Sequence, residues 1–235
     1  MTLTGGSACA HGLASDMPAT AFVLAAGFGT RLRPYTARHP KPLLPIRGRP
    51  MLDHVLDHLR AHGHDEVVVN AHWLADQIVA WGADKPGVTV VVESPAILGT
   101  GGGLRNARHL LADRFVVCNG DILSDVDLTR LLALPGRAAM ALRAQGTPTH
   151  TGVAHHDGRV TGIDRVVGAG DPGYHFTGVH ALDRSALDLV PEGEACIVRT
   201  AYKAMIPLGE VGALVHAGAW TDIGTVGEYE AARGD

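Results

Sequence analysis

The segment Ala21-Phe-Val-Leu-Ala-Ala-Gly-Phe-Gly-Thr-Arg-Leu32 decides the fold of this 235-residue chain. Its apolar first half predicts a buried parallel strand, which enters a turn at Gly27. Glycines at such a turn let backbone N–H groups come close to a phosphate. Gly27 and Gly29 have the spacing of a dinucleotide-binding turn, but Leu32 stands where a third glycine would be, and no Gly-Lys-Ser/Thr follows. Arg31 can reach an anion held by the turn, which favours a phosphate site over a plain strand-to-helix turn.

Strands and helices are predicted to alternate after this turn. Apolar residues recur with helical spacing from Met51 until Gly63, and short apolar runs separate the later helical stretches. The predicted elements that follow are the strand Glu66–Asn70, a helix around Trp73–Trp81, the strand Val88–Val92, a helix from Gly102 to Leu111 and the strand Arg114–Cys118. This alternation predicts an α/β fold, Rossmann-like, with a mainly parallel mixed sheet flanked by helices.

The part of the chain after Asp121 is predicted to be richer in strands. The dipeptide Asp157-Gly158 separates two short strand-like runs and predicts a β-hairpin. The predicted elements are a helix near Val126–Leu134, strands at Ala138–Leu142, Gly152–His156, Arg159–Ile163 and Tyr174–His180, helices near Arg184–Leu189 and Ala195–Pro207, and a closing strand and turn at Val211–Thr225. Residues 18–235 are therefore predicted to be one domain with a small β-rich elaboration, after a flexible lead of residues 1–17.

The composition limits the classes of protein to which the chain can belong. Hydrophobic residues make up 46% and charged residues 19% of the sequence, which predicts a globular protein. The net charge of −4 offers no overall attraction for nucleic acid. Three widely spaced cysteines, with no signal peptide and no long apolar run, favour a cytoplasmic protein without membrane attachment. The expected partners are small molecules, and the expected state is a monomer or a small homo-oligomer.

Positive charge is concentrated in one stretch of the sequence. Between Asp16 and Asp53 there is no acidic residue, whereas five arginines and Lys41 fall there. Pro40 and Pro42 flank Lys41 and restrict its backbone, so its ammonium group can be directed at an anion. This stretch predicts a site for a small polyanion. A solvated basic surface is the alternative explanation.

Asp121 is the first candidate metal ligand. It follows a predicted buried strand, and carboxylates at the C-terminal ends of parallel strands lie over the ligand crevice. Carboxylate oxygens suit Mg²⁺. A turn or cap aspartate is the alternative, and Asp125 and Asp127 are predicted to be helix caps. His54 and His58 have the i, i+4 spacing of metal ligands, but no glutamate follows His54 as in an HExxH site, which favours a solvated helix face.

Two motifs together resemble the signature of the sugar-1-phosphate nucleotidyltransferases. They are Leu24-Ala-Ala-Gly-Phe-Gly-Thr-Arg-Leu-Arg-Pro-Tyr-Thr36 and Pro40-Lys-Pro-Leu-Leu-Pro45. Within that family the chain is most similar to short uridylyltransferases that act on N-acetylmuramate 1-phosphate in cell-wall recycling. The segments that carry this similarity are Val69-Asn-Ala-His-Trp73, Gly99-Thr-Gly-Gly-Gly103, Asn119-Gly-Asp121 and Trp220-Thr-Asp-Ile-Gly-Thr225. Short mannose-1-phosphate guanylyltransferases share much of this pattern.

The resemblance implies a nucleotide site, a metal site and the residues that act in them. The implied nucleotide-binding residues are Leu24, Ala25, Ala26, Gly27, Gly29, Thr30, Arg31, Asn70, Gly101 and Gly102. Arg31 would stabilise the leaving pyrophosphate, and Lys41 would lie between the α-phosphate and the sugar phosphate. Asp222 would join Asp121 as the second ligand of a Mg²⁺ cofactor. The implied catalytic residues are thus Arg31, Lys41, Asp121 and Asp222.

The sugar and base sites depart from the pattern of many family members at two positions. The implied sugar-binding residues are Gly152, Arg165, Thr177 and Gly178. Arg165 is the candidate substitute for the lysine of a Glu-Lys-Pro segment that this sequence lacks. Ile97 stands where some uridylyltransferases carry a glutamine for uracil, so Asn70, His72 and Glu93 are candidate readers of the base.

The expected activity is transfer of a nucleotidyl group from an NTP, UTP, to a sugar 1-phosphate, N-acetylmuramate 1-phosphate, with release of pyrophosphate. The ionised sugar phosphate can itself attack the α-phosphorus, so no separate base is needed. The alternatives are a mannose-1-phosphate guanylyltransferase or another hexose- or heptose-1-phosphate nucleotidyltransferase, a phosphocholine cytidylyltransferase, and a non-catalytic relative that binds an NDP-sugar and regulates a partner.

Overall fold

In the part of the chain that the structure describes, a nine-stranded mixed β-sheet with helices on both faces forms the centre. The computed structural model describes residues 19–144, 152–164 and 173–234. The predicted lead over residues 1–17 and the candidate residue Arg165 lie outside these ranges. The α/β prediction is confirmed, whereas the division of the chain into a lead and one domain stays a prediction.

The main sheet has a parallel half and a mixed half. The strands are β1 (Ala19–Leu24), β2 (Pro45–Ile46), β3 (Arg49–Pro50), β4 (Val67–Ala71), β5 (Val88–Val92), β6 (Leu111–Asn119), β7 (Ile122–Ser124), β8 (Ala138–Ala144), β9 (Gly152–His156), β10 (Arg159–Asp164), β11 (Tyr174–Asp183), β12 (Val211–Val215) and β13 (Trp220–Asp222). The strand order is β5-β4-β1-β6-β11-β8-β12-β10-β9. The first four of these strands are parallel, and β11 is antiparallel to both β6 and β8. Two short antiparallel pairs, β2–β3 and β7–β13, are separate from the main sheet.

Alternate residues of β1 show which helices cover each face of the sheet. The helices are α1 (Met51–Ala61), α2 (Ala75–Ala83), α3 (Gly99–Asn106), α4 (Leu128–Leu132), α5 (Lys203–Met205) and α6 (Val226–Arg233). Phe22 belongs to an apolar cluster that includes Leu104 of α3, whereas Ala21 and Val23 belong to a second cluster with α1, α2 and α4. Among the described residues, no helix is long and apolar enough to cross a membrane.

The parallel half of the sheet brings several chain segments to one edge. Because β1, β4, β5 and β6 run in the same direction, their carboxyl ends share that edge. The glycine loop, residues 25–29, leaves β1 there, Glu93 follows β5, and Asp121 follows β6 by two residues. The sequence spacing thus becomes a spatial cluster at the place where ligands bind in such sheets.

A third, smaller apolar cluster joins segments that are distant in sequence. Its buried side chains are Leu32, Leu44, Ile46, Met51, Ile223 and Tyr229. Leu32 follows Arg31 directly, Leu44 comes after the 3₁₀ turn that contains Lys41, and Ile223 follows Asp222. Since burial of one such side chain contributes about 1.5–3 kcal/mol, this cluster fixes the backbone beside three predicted functional residues.

The structure corrects predicted helix boundaries. α3 begins at Gly99 rather than Gly102 and ends at Asn106 rather than Leu111. Glycine disfavours helices, so propensity misplaces the start. The glycines are accommodated because the helix packs closely on another segment: a Cβ on Gly102 would lie 2.1 Å from the carbonyl oxygen of Gly193. The helix predicted at Ala195–Pro207 begins as a π turn at Val198–Tyr202.

The prediction that His54 and His58 lie on a solvated helix face is wrong. His54 Nε2 lies 2.9 Å from the carbonyl oxygen of Ile46, and the Nε2 atom of His58 is buried. Burial lowers the pKa of His58 below its ordinary value. The reason is that β3 and β7 both contact α1. The periodicity of the helix sequence alone does not show contacts that other segments make with it.

A buried histidine lies in the core on the α3 side of the sheet. His180 of β11 is 1% exposed, its Nδ1 is 2.6 Å from the hydroxyl oxygen of Tyr202, and burial lowers its pKa to about 3. The unfolded chain takes up a proton on this group near pH 6.5, whereas the folded protein does not. Acid therefore favours the unfolded state.

We expect the free energy of unfolding to fall by about 1.4 kcal/mol per pH unit from His180 alone as the pH drops from about 6 to 4.5. The variant His180→Gln keeps a hydrogen-bonding group for Tyr202 but does not titrate, so it should lose this part of the slope. Denaturant unfolding at several pH values measures the effect, with the exposed His109→Gln as the control. Equal slopes for His180→Gln and the wild type would contradict the assignment.

Candidate functional site

The glycine loop lies directly against the segment that carries Lys41. Gly29 has a φ of +61°, and the Thr36 hydroxyl donates a hydrogen bond to its carbonyl oxygen at 2.7 Å. A Cβ on Gly29 would lie 2.9 Å from Thr36 Cγ2 and 3.0 Å from Lys41 Cβ. Glycine is thus required here both by the backbone conformation and by the close approach.

Lys41 and Asp121 form an ion pair at the carboxyl edge of the sheet. Lys41 Nζ donates to Asp121 Oδ2, and the two side chains are 9% and 26% exposed. The N–H of Gly120 donates to the carbonyl oxygen of Leu24 at 2.9 Å, and a Cβ on Gly120 would lie 3.0 Å from that oxygen. This bond ties the end of β6 to the end of β1, so Asp121 lies beside the glycine loop.

The backbone of Asp222 lies beside that of Asp121 in the short β7–β13 ladder, although Asp222 is not among the residues that line the cleft described below. In this ladder Asp222 pairs with Ile122, and the N–H of the next residue, Ile223, donates to the carbonyl oxygen of Asp121 at 3.2 Å. The backbones of the two predicted metal ligands therefore run side by side, although the two residues are about 100 positions apart in the sequence.

Arg31 lies against the turn that precedes α6. A Cβ on Gly224 would lie 3.1 Å from one terminal guanidinium nitrogen of Arg31 and 3.2 Å from the other. The Glu228 carboxylate accepts hydrogen bonds from the N–H groups of Gly224 and Thr225 at 2.9 and 2.7 Å, and from the Thr225 hydroxyl at 2.9 Å. Burial alone would raise the pKa of Glu228, but these hydrogen bonds and the charge of Arg31 lower it below its ordinary value.

An open cleft of about 230 Å³ lies between these groups. The predicted residues that line it together are Leu24, Ala25, Gly27, Gly29, Thr30, Arg31, Lys41 and Asp121. Leu32, Pro42 and Gly224 complete its wall. Two cations and one carboxylate thus face a space bounded by a glycine-rich backbone, which is an arrangement suited to a phosphorylated ligand.

Four predicted nucleotide-binding residues do not line this cleft. Ala26 is buried, and the N–H groups of Gly101 and Gly102 donate to the Ala195 carbonyl oxygen at 2.8 and 3.2 Å. Asn70 is 2% exposed, and its amide bonds within the protein. Their contact with a nucleotide stays a prediction.

The described residues predicted to bind the sugar lie in the mixed half of the sheet. Gly152 pairs with His175, and the pairing of β11 with β8 shifts register between residues 176 and 180. The Thr177 hydroxyl in this irregular stretch donates to the Ala141 carbonyl oxygen at 2.9 Å, and the Thr177 carbonyl oxygen accepts the Trp220 indole N–H at 2.9 Å. Gly178 has a φ of +81°. A sugar-binding role for this region stays a prediction.

Two residues of the site were missed by sequence reasoning. Thr36 supports the glycine loop, and its own carbonyl oxygen accepts the Trp73 indole N–H at 3.0 Å. Glu228 orders the Gly224 turn, and here a signal existed. Thr225 followed by Glu228 three residues later is the sequence pattern of a capping box, which the structure contains.

We expect Gly29→Ala to lower the free energy of unfolding by about 1–3 kcal/mol, because alanine at this φ is strained and its methyl group meets Thr36. The matched control is Gly27→Ala, since a Cβ at Gly27 has no atom within 4 Å. Urea unfolding of both variants compares the costs. Equal stability of the two variants would show that the loop can move away from the Lys41 segment.

The protein families and curated relatives agree on the class of protein. The model of the MobA-like NTP transferase domain matches residues 21–178. The chain is 33% identical to a mannose-1-phosphate guanylyltransferase of Mycobacterium tuberculosis over 89% of this chain and 62% of that protein. It is 32% identical to an N-acetylmuramate alpha-1-phosphate uridylyltransferase of Neisseria meningitidis over 88% of this chain and 93% of that protein. The chain thus spans less than two thirds of the first relative and nearly all of the second.

A solved structure shares the fold. The crystal structure of HddC from Yersinia pseudotuberculosis, complexed with GMP-PN, superposes with a TM-score of 0.76 over 91% of this chain and 97% of that chain, at 24% identity. The family model covers more than half of the sequence and includes the glycine loop, Lys41 and Asp121. The chain therefore belongs to the MobA-like NTP transferase family.

Proposed function

We propose that this protein transfers a nucleotidyl group from UTP to N-acetylmuramate 1-phosphate and releases pyrophosphate. The observation that carries the proposal is the ion pair between the buried Lys41 and the partly exposed Asp121, beside the glycine loop. A lysine at this depth has little contact with water, and its one ammonium group carries three N–H donors. It can keep its bond to Asp121 while another donor binds a phosphate that enters the cleft.

Arg31 supports the same proposal from the other side of the cleft. Arg31 is exposed, and its planar guanidinium group can bind two phosphate oxygens at once. Its guanidinium group lies against the Gly224 turn, and the charge of Glu228 lies nearby. We assign Arg31 to the β- and γ-phosphates and Lys41 to the α-phosphate and the sugar phosphate.

The donor set fits Mg²⁺. Among the described residues there is no group of three or more His, Cys, Asp or Glu that could hold a metal ion. Mg²⁺ is usually bound by one or two carboxylates together with substrate phosphates. We therefore assign it to Asp121, which lines the cleft, and to Asp222, whose backbone lies beside that of Asp121. When bound, the ion would supply positive charge to the triphosphate.

The proposed reaction requires only positioned charge from the protein. An oxygen of the sugar phosphate attacks the α-phosphorus of the NTP, the new phosphorus–oxygen bond forms, and the bond to the pyrophosphate breaks. Lys41 offsets the repulsion between the two approaching anions, and Arg31 stabilises the charge on the leaving pyrophosphate. The attacking phosphate is already ionised at neutral pH, so the protein need not remove a proton.

The choice of substrates rests on the relatives. The Neisseria meningitidis uridylyltransferase matches over nearly its whole length and supports UTP with N-acetylmuramate 1-phosphate. The Mycobacterium tuberculosis guanylyltransferase has similar identity and supports GTP with mannose 1-phosphate as the second candidate. Both candidates use the same phosphate chemistry and differ in the base and the sugar.

A pyrophosphate-release assay over four NTPs and a panel of sugar 1-phosphates, with and without Mg²⁺, tests the proposal. We expect turnover only with Mg²⁺, and the highest kcat/KM with UTP and N-acetylmuramate 1-phosphate. A maximum with GTP and mannose 1-phosphate would favour the second candidate. Absence of turnover with every pair would reject the proposal and favour a non-catalytic NDP-sugar-binding protein.

We expect Lys41→Gln to lower kcat/KM by about 100- to 1000-fold, because one directed donor is lost from the transition state. The matched control is Lys203→Gln, which changes an exposed lysine of α5. The same pyrophosphate assay measures both variants. A loss of less than tenfold in Lys41→Gln would show that Lys41 does not act on the reacting phosphates.

A further inference from the structure

We propose that Asn70 and Glu93 are positioning residues that hold the glycine loop and the start of α3 at a fixed separation, and that this separation determines which nucleobase is accepted. The inference rests on the proposed nucleotide transfer and goes beyond it, since it assigns base selectivity to two buried side chains. It replaces direct reading of the base, which the sequence suggested for both residues.

A continuous chain of hydrogen bonds joins the two segments. The N–H of Ala25 donates to Asn70 Oδ1 at 2.7 Å, and Asn70 Nδ2 donates to Glu93 Oε1 at 2.7 Å. The second carboxylate oxygen of Glu93, Oε2, accepts the N–H of Leu98 at 2.7 Å. Ala25 opens the glycine loop, and Leu98 is the N-cap of α3. The chain of bonds therefore spans from one segment to the other.

Both side chains lie inside the protein and are fixed by their surroundings. Asn70 and Glu93 are each 2% exposed. The backbone N–H of Glu93 donates to the Ala71 carbonyl oxygen at 2.7 Å, and the Glu93 carbonyl oxygen is 2.8 Å from Nδ1 of His72. Glu93 is thus anchored at its backbone as well as at its carboxylate.

The donors and acceptors in this chain of hydrogen bonds can be assigned in only one consistent way. Backbone N–H groups can only donate, so Ala25 requires an acceptor on Asn70, and Leu98 requires an acceptor on Glu93. Asn70 then presents its NH₂ group to Glu93, whose carboxylate accepts at both oxygens. A buried pair with complementary donors and acceptors resists displacement, because any unpaired polar group would be costly.

Close packing of α3 on this pair is a second, independent observation. A Cβ on Gly103 would lie 2.4 Å from Glu93 Oε1 and 2.8 Å from Asn70 Nδ2. The helix therefore touches the pair at Gly103, five residues after its N-cap, as well as through Leu98. The pair therefore fixes the position of α3 through two contacts, one at Leu98 and one at Gly103.

The role in selectivity follows from what the two segments do in the proposed reaction. Ala25 lines the cleft, and the first turn of α3 contains Gly101 and Gly102, which are predicted to lie along the base. The carbonyl and the amide nitrogen of Asn70 both have protein partners. We therefore assign to Asn70 and Glu93 the role of fixing the distance between the two segments. Misplacement of a bound substrate by about 1 Å can cost about 100-fold in rate.

Reversal of the polarity within the pair tests this assignment. In Asn70→Asp two carboxylates face each other, and in Glu93→Gln one amide must meet two donors. In the double variant Asn70→Asp/Glu93→Gln, Asp accepts from Ala25 and from the glutamine NH₂ group, while the glutamine oxygen accepts from Leu98. The double variant thus restores every bond with the charge moved by one residue.

We expect each single variant to raise KM for the preferred NTP by about tenfold or more, to reduce the preference among the four NTPs, and to change kcat less. The double variant should recover KM and the preference to within about threefold of the wild type. Exposed Asn106→Asp and Glu194→Gln serve as matched controls of the same chemistry. Calorimetric dissociation constants for the four NTPs provide a readout that does not require turnover.

A second variant keeps the test decisive if the single variants do not fold. Gly103→Ala leaves the polarity intact but presses a methyl group onto Glu93, and we expect it to reduce the preference among NTPs as well. Unchanged preference in the folded single variants, or in Gly103→Ala, would overturn the inference, as would a double variant no better than its parents. A wild type that binds NTPs selectively without turnover would reject the proposed function alone, and one that binds no NTP would overturn both.

Discussion

The third apolar cluster is the constraint on which the candidate site depends. Leu32, Leu44 and Ile223 come from three separate segments, and their burial together sets the backbone next to Arg31, Lys41 and Asp222. Apolar burial has no direction of its own, so it needs support from directional bonds. The Ile223 N–H bond to Asp121 and the Leu24–Gly120 bond supply that direction. Charged groups at an open cleft can therefore be held in place by apolar contacts that are themselves buried away from water.

The pairing of polar groups at the carboxyl edge of the sheet also follows from burial. A parallel sheet covered on both faces leaves few places for charge, and burial of an unpaired charge is costly. Lys41 is accordingly paired with Asp121, and Glu93 with Asn70 and the Leu98 N–H. One pair lines the cleft and the other lies behind it. Asp121, Asn70 and Glu93 lie at or just after the ends of β6, β4 and β5, where the backbone itself supplies further donors and acceptors.

Local chemistry made much of the fold and part of the site predictable. The apolar run before Gly27 and the prolines around Lys41 act within a few residues, so their consequences can be read from short segments. The glycines of α3 and the partial burial of His54 and His58 depend on contacts with residues 193–197, β3 and β7. Such contacts join positions far apart in the chain, and no local pattern records them. Thr36, whose carbonyl oxygen accepts the Trp73 indole N–H, was missed for the same reason.

Arg31 and Gly224 lie close together in the wall of the cleft, and these two residues stand near opposite ends of the described chain. Contacts between such distant positions form slowly, because the intervening chain must first be ordered. The site should thus be among the last parts of the protein to assemble during folding. A nucleotide that touches both sides would bind the native state and not the open one, and would draw the final step toward completion by mass action. The nucleotide would then act as a folding ligand for the protein.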